Sequence, residues 1–139
     1  MVMNEFYSYI IENIFRFNEE PFSTDLYSES LYGTIGIITI SSALLFNVIF
    51  YYVINRPNFA RWWHWLLIGG VHLIICILAA YFIPKDSFDF LFFGSDPYNY
   101  TDYLSFSLIN AIAAFAFYVF WMLFVRWKSV NAKQTPFPH

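Results

Sequence analysis

The chain has 139 residues, 59% of them hydrophobic, 24% aromatic and only 12% charged. Soluble domains carry about 25% charged residues, so too few charges are present to cover a soluble fold of this size. The net charge of −3 argues against a nucleic-acid surface, and lipid is the solvent that suits this much apolar side chain.

In chain order, residues 1–30 read as an extracytoplasmic segment. It does not read as a signal peptide: the start is not basic, and Glu5 and Glu12 interrupt its apolar positions. An amphipathic helix is predicted over Asn4–Phe17, with Phe6, Ile10, Ile14 and Phe17 at i, i+4, i+8 and i+11 and with Tyr7 and Ile11 beside them. Glu5, Glu12 and Arg16 take the other side. This acidic balance is ill suited to anionic lipid, which favours contact with protein over the membrane surface. Pro21 is expected to end the segment, and Ser28 or Ser30 to cap the next helix.

Residues 31–125 are predicted to form a three-helix transmembrane domain, making the chain an all-α membrane protein. Uncharged runs cover Leu31–Ile54 (24 residues), Trp62–Ile83 (22) and Leu104–Val125 (22). At about 1.5 Å per residue each reaches roughly 33–36 Å, against about 30 Å of hydrocarbon. Continuous apolar runs without strict alternation read as helices, which satisfy their own backbone groups in lipid. Asn55-Arg56-Pro57-Asn58 breaks the chain after the first run, Pro84-Lys85-Asp86 is expected to end the second, and Arg126-Trp127-Lys128 closes the third. Trp62, Trp63, Trp65, Trp121 and Trp127 then gather near one membrane face, where indole rings are favoured.

Between the second and third spans, an outer connection over residues 84–103 is rich in rings. Phe88, Phe90, Phe92, Phe93, Tyr98 and Tyr100 are candidates for docking a partner, with an interfacial segment at the headgroups as the alternative. Asp96-Pro97 reads as a turn or helix start. Asn99-Tyr100-Thr101 matches the N-glycosylation acceptor pattern. The short tail 126–139 is expected to be cytoplasmic and frayed from Ser129 onward.

Charge sets the expected orientation. Arg56, Arg61, Arg126, Lys128 and Lys133 share one side, a net of +5, and basic residues are retained in the cytoplasm. The other side has ten acidic and two basic residues, a net of −8. The amino terminus is therefore expected outside and the carboxyl terminus inside, with a bacterial inner membrane as the default location. The acids read as a solvated face rather than a cation site, since none has calcium-loop spacing.

Polar residues inside the spans are the expected place for function. His72 stands at the midpoint of the second span, on a face with Trp65, Gly69, Cys76 and Ala80. Comparable stripes are Gly36, Thr39, Ala43 and Asn47 in the first span and Ser107, Asn110 and Ala114 in the third. Small residues let helices approach, and hydroxyl or amide groups bond between them. Depth matching makes Ser41 or Ser42 the expected partner of His72. Thr39, Ser41, Ser42, Asn47, His72 and Asn110 are thus predicted as intramembrane contacts or as a pore lining. His72 and Cys76 alone do not make a zinc site, and the lone cysteine has no partner for an intrachain disulfide.

No nucleophile elbow, metalloprotease helix or phosphate loop is present, so neither enzymatic activity nor a cofactor is expected. The expected function is that of a small structural or accessory subunit of a membrane assembly, in secretion, the envelope or toxin neutralisation. Its partners would be the lipid bilayer and other membrane subunits or further copies of itself. The alternative is a homo-oligomeric ion channel with an acidic outer vestibule, its path lined by Asn47, His72 or Asn110.

Overall fold

The computed structural model describes residues 2–54, 56–59 and 61–129. Its elements in chain order are α1 (Val2–Tyr9), continued by a wide π turn over Ile10–Ile14, α2 (Phe22–Ser28) and α3 (Leu31–Val48), with a second π turn over Ile49–Ile54. A 3-10 turn at Pro57–Phe59 leads to α4 (Trp62–Leu91), then α5 (Tyr100–Val125) and a closing 3-10 turn at Arg126–Lys128. The protein is all-helical among the described residues. The helical segments Leu31–Ile54, Trp62–Leu91 and Tyr100–Val125 are long and apolar enough to cross a membrane.

Two boundaries differ from the sequence reading. The second helix does not end at Ile83 but runs on through Pro84 to Leu91, and the third begins at Tyr100 rather than Leu104. The outer connection shrinks accordingly from 84–103 to 92–99. A proline inside a helix costs about 3 kcal/mol. Here that cost is offset by burial on the bundle side: Pro84 and Phe88 are both buried, and Phe88 packs on Phe22, Tyr98 and Tyr103. Helix α5 starts from a capping box in which Asn99 and Asp102 satisfy each other's backbone N–H groups, an N-terminal signal in this stretch of sequence. Asp96 makes the expected turn by accepting the Tyr98 N–H at 2.9 Å.

The amino-terminal segment also differs. Of the expected face, Tyr7, Ile10, Ile11 and Phe17 are buried and Phe6 and Ile14 are exposed, and the buried side extends to Asn4 and Ser8. The cause is a notch on α3. At Gly33 an added Cβ would stand 3.2 Å from the Asn4 backbone, and at Gly36 one would stand 2.6 Å from the Tyr7 ring. Two glycines thus let α1 cross α3 at close range. Asn4 locks the crossing by accepting the Gly33 N–H at 2.9 Å and donating to the Tyr27 carbonyl at 3.0 Å. Gly36 lies roughly 8 Å along α3 from its start, so α1 is sunk into the bundle's flank with Val2, Phe6 and Tyr9 facing outward. Neither serine caps α3 by its side chain: Ser28 donates to Asp25, and Ser30 holds the cap position in a left-handed conformation without a side-chain bond.

The core has two parts. At the acidic end, Phe22 from α2 is driven into a ring cluster, its centroid 5.0 Å from Tyr98, 5.4 Å from Tyr103 and 5.9 Å from Phe88, all edge-on. At the tryptophan end, Trp65 and Tyr118 pack with Ala43, Phe50, Tyr51 and Met122. There Ser129 is buried and donates to the Tyr51 carbonyl at 2.9 Å, so it is fixed rather than frayed. The remaining tail, with Lys133 and His139, lies outside the described residues.

Candidate functional site

The three stripes of small and polar residues meet along the bundle axis. Gly69 admits the Tyr118 ring, which would stand 2.8 Å from a Cβ there, and so α4 and α5 close around His72. Tyr118 stacks on the imidazole with ring centres 5.6 Å apart and donates its hydroxyl to the Trp65 carbonyl at 3.1 Å.

The polar side chains form one connected network across α1, α3, α4 and α5. Asn110 is its hub. Its amide donates to Thr39 Oγ1 and to the Cys76 carbonyl, each at 3.3 Å, and its Oδ1 accepts the Tyr7 hydroxyl. The Cys76 carbonyl can only accept, which fixes the orientation of this amide. Ser42 donates to the Thr39 carbonyl at 3.2 Å and stands 3.0 Å from His72 Nε2, with Cys76 Sγ 3.3 Å from the same nitrogen. Nε2 and Ser42 Oγ share a hydrogen bond, and Nδ1 is buried with no hydrogen-bond partner among the described residues.

Of the residues read from sequence, Thr39, Ser42, His72 and Asn110 are brought together. Ser41 faces outward, and Asn47 bonds separately to the Ala43 and Tyr118 carbonyls at 2.9 Å each. Thr39, Asn47, His72 and Asn110 are fully buried within the single chain. Tyr7 and Cys76 were not among the candidate contacts. Tyr7 was hidden because its helix was read as docking on a neighbouring protein rather than on its own bundle, although the Gly36 position opposite it was a usable signal. Burial holds the Tyr7 phenol well above the ordinary tyrosine range, so it acts as a hydrogen-bond donor. An imidazole, a thiol and a hydroxyl within 3.6 Å would suit proton exchange, yet none of these contacts includes a carboxylate. The chemistry of the arrangement is that of a clasp between helices.

The ring-rich segment divides in two. Phe88 is fully buried, and Tyr98 and Phe92 pack on the ring cluster. Phe90, Phe93 and Tyr100 are 87%, 96% and 70% exposed. Tyr98 donates to Asp25, and burial followed by that carboxylate pushes its phenol well above the usual tyrosine range. Beside this cluster, Ser8, Glu12, Glu20, Ser23, Thr24 and Tyr27 line a hollow of about 220 Å³. Burial, with Glu20 adding repulsion, raises the Glu12 carboxyl above the ordinary range. Among the described residues, no three His, Cys, Asp or Glu side chains converge as a metal ion would require.

Fold and network together define a three-helix bundle of membrane-spanning proportions, flanked by a sunken amino-terminal helix and clasped by internal hydrogen bonds. No protein-family model, curated protein or solved structure matches this chain.

Proposed function

We propose that this protein is a structural or accessory subunit of a multi-protein membrane assembly, held with its amino terminus outside and its carboxyl terminus in the cytoplasm of a bacterial inner membrane. The observation that carries this reading is the contrast between the two parts of the molecule. Thr39, Asn47, His72 and Asn110 are buried and hydrogen-bonded within the chain, whereas the acidic end presents Phe90, Phe93 and Tyr100 largely exposed. Exposed rings in such numbers are more consistent with a covered surface than with a free one. The orientation rests on the basic residues Arg56, Arg61 and Arg126, which share the tryptophan end.

The channel alternative draws less support. Asn47, His72 and Asn110, the residues that would line its path, are fully buried inside one chain and turned toward its own helices. Assembling copies around a central axis would not bring them to a lumen without opening the clasp.

Purification of the tagged chain from its native membrane in mild detergent tests the subunit reading. A partner retained at fixed stoichiometry is the expected result. Recovery of free monomer alone would count against it.

A further inference from the structure

Helix α4 contains 30 residues, about 45 Å of rise. Phe90 stands about 42 Å from its start, beyond roughly 30 Å of hydrocarbon and at the outer edge of a bilayer that spans about 40–45 Å with headgroups. A tilt of about 20° shortens this reach by only a few ångströms. The exposed rings at this end therefore stand too far out for lipid tails to cover.

Charge says what does cover them. Asp86, Asp89 and Phe90 fall at i, i+3 and i+4 on one face of α4, and Phe93 follows at i+7 in the turn that ends the helix. The nearby Lys85 is drawn back over the Tyr81 ring, 6.0 Å from its centre. Anionic headgroups would be repelled by such a face, and a basic protein segment would be attracted.

The backbone adds a further sign. Helix α4 ends with the Gly94 N–H on the Asp89 carbonyl at 2.8 Å and the Phe93 N–H on the Phe90 carbonyl at 3.3 Å, the two bonds of a Schellman motif. Glycine is usual at the left-handed position of this motif, but here it holds Phe93, with φ of 54° and an almost fully exposed ring. In the isolated chain that ring gains nothing to offset its backbone cost.

Resting on the subunit reading above, we propose that the Asp86–Asp89–Phe90–Phe93 face is the docking surface for a basic segment of a partner protein. Its Arg or Lys side chains pair with the two carboxylates and lie over the two rings.

The test places a benzoylphenylalanine photocrosslinker at position 90 of the full chain in its native membrane, with position 120, an outward-facing ring of α5, as a control for lipid adducts. The expected product at position 90 is a protein adduct whose crosslinked segment is net basic. Its yield should fall at least about tenfold in Phe93→Gly and in the Asp86→Asn/Asp89→Asn double variant. Phe93→Gly keeps or raises thermal stability because glycine suits the left-handed position, so loss of the adduct is not loss of fold. Adducts to lipid alone, to a second copy of this chain or to an acidic or neutral segment would overturn the proposal, as would a yield that ignores both variants. A partner that co-purifies but crosslinks elsewhere defeats this inference and leaves the subunit reading standing. No partner in either experiment defeats both.

Discussion

Gly36 and Gly70 are both glycines in the spanning helices, yet they do opposite things. Gly36 receives the Tyr7 ring, and a methyl group there would meet ring carbons at 2.6 and 2.8 Å and the Tyr7 Cβ at 2.9 Å. The near atoms belong to a packed helix and cannot swing away, so Gly36→Ala is expected to cost about 1–3 kcal/mol by overpacking and to loosen α1. Nothing lies within 4 Å of a Cβ at Gly70, so Gly70→Ala is expected to be neutral or to stabilise by up to about 1 kcal/mol through helix propensity. Detergent-solubilised unfolding compares the two, and equal effects would contradict the notch. At this scale the sequence was partly legible. A lone histidine at mid-span, with hydroxyls at matching depth, pointed to Ser41 or Ser42, and the structure sets Ser42 3.0 Å from His72. Choosing between Ser41 and Ser42 needs the rotation of α3, which the Gly36–Thr39–Ala43–Asn47 stripe indicates: these four are buried, Ser42 is half-buried beside them and Ser41 is exposed.

The helices themselves were legible because length and hydropathy are strong signals, and only the two ends that flank the outer connection were misplaced. Pro84 looks like a stop, and only the burial of Phe88 one turn later explains why the helix continues. For α1 the periodicity was real, and of the expected face Tyr7, Ile10, Ile11 and Phe17 are buried while Phe6 and Ile14 are exposed. In lipid an outward side chain is also apolar, so the more polar Asn4–Tyr7–Ser8 side turns to the bundle. The ring cluster at the acidic end depends on α2, which inserts Phe22 and offers Asp25 to the Tyr98 hydroxyl. Raising the Tyr98 pKa above its unfolded value means the folded state favours the protonated phenol. The resulting stability is fully present below about pH 10, the ordinary tyrosine value, and is lost as pH rises above it. Thermal unfolding between pH 8 and 11 should therefore show Tm falling above pH 10. Tyr98→Phe should lower Tm at pH 8, by loss of a bond worth about 1 kcal/mol or somewhat more, and should flatten the alkaline fall. An unchanged alkaline slope in that variant would remove Tyr98 from the account.

For the whole molecule, three apolar helices carry an acidic, ring-bearing end and a basic, tryptophan-bearing end, joined by a polar clasp near mid-depth. Composition and charge were enough to read that polarity, since they depend on no contact between distant residues. How the chain closes on itself was not legible, because the Tyr7–Asn110 bond joins residues 103 apart in sequence. The arrangement has meaning only if the two ends lie on opposite faces of a bilayer. The direct measurement is thiol labelling in sealed vesicles of known orientation, using Asn58→Cys and Ser95→Cys, each in a Cys76→Ala background. Both positions are exposed in the fold. With a membrane-impermeant maleimide, position 95 should react from the extracytoplasmic side only and position 58 from the cytoplasmic side only. Reaction of both from one side would contradict the spanning arrangement.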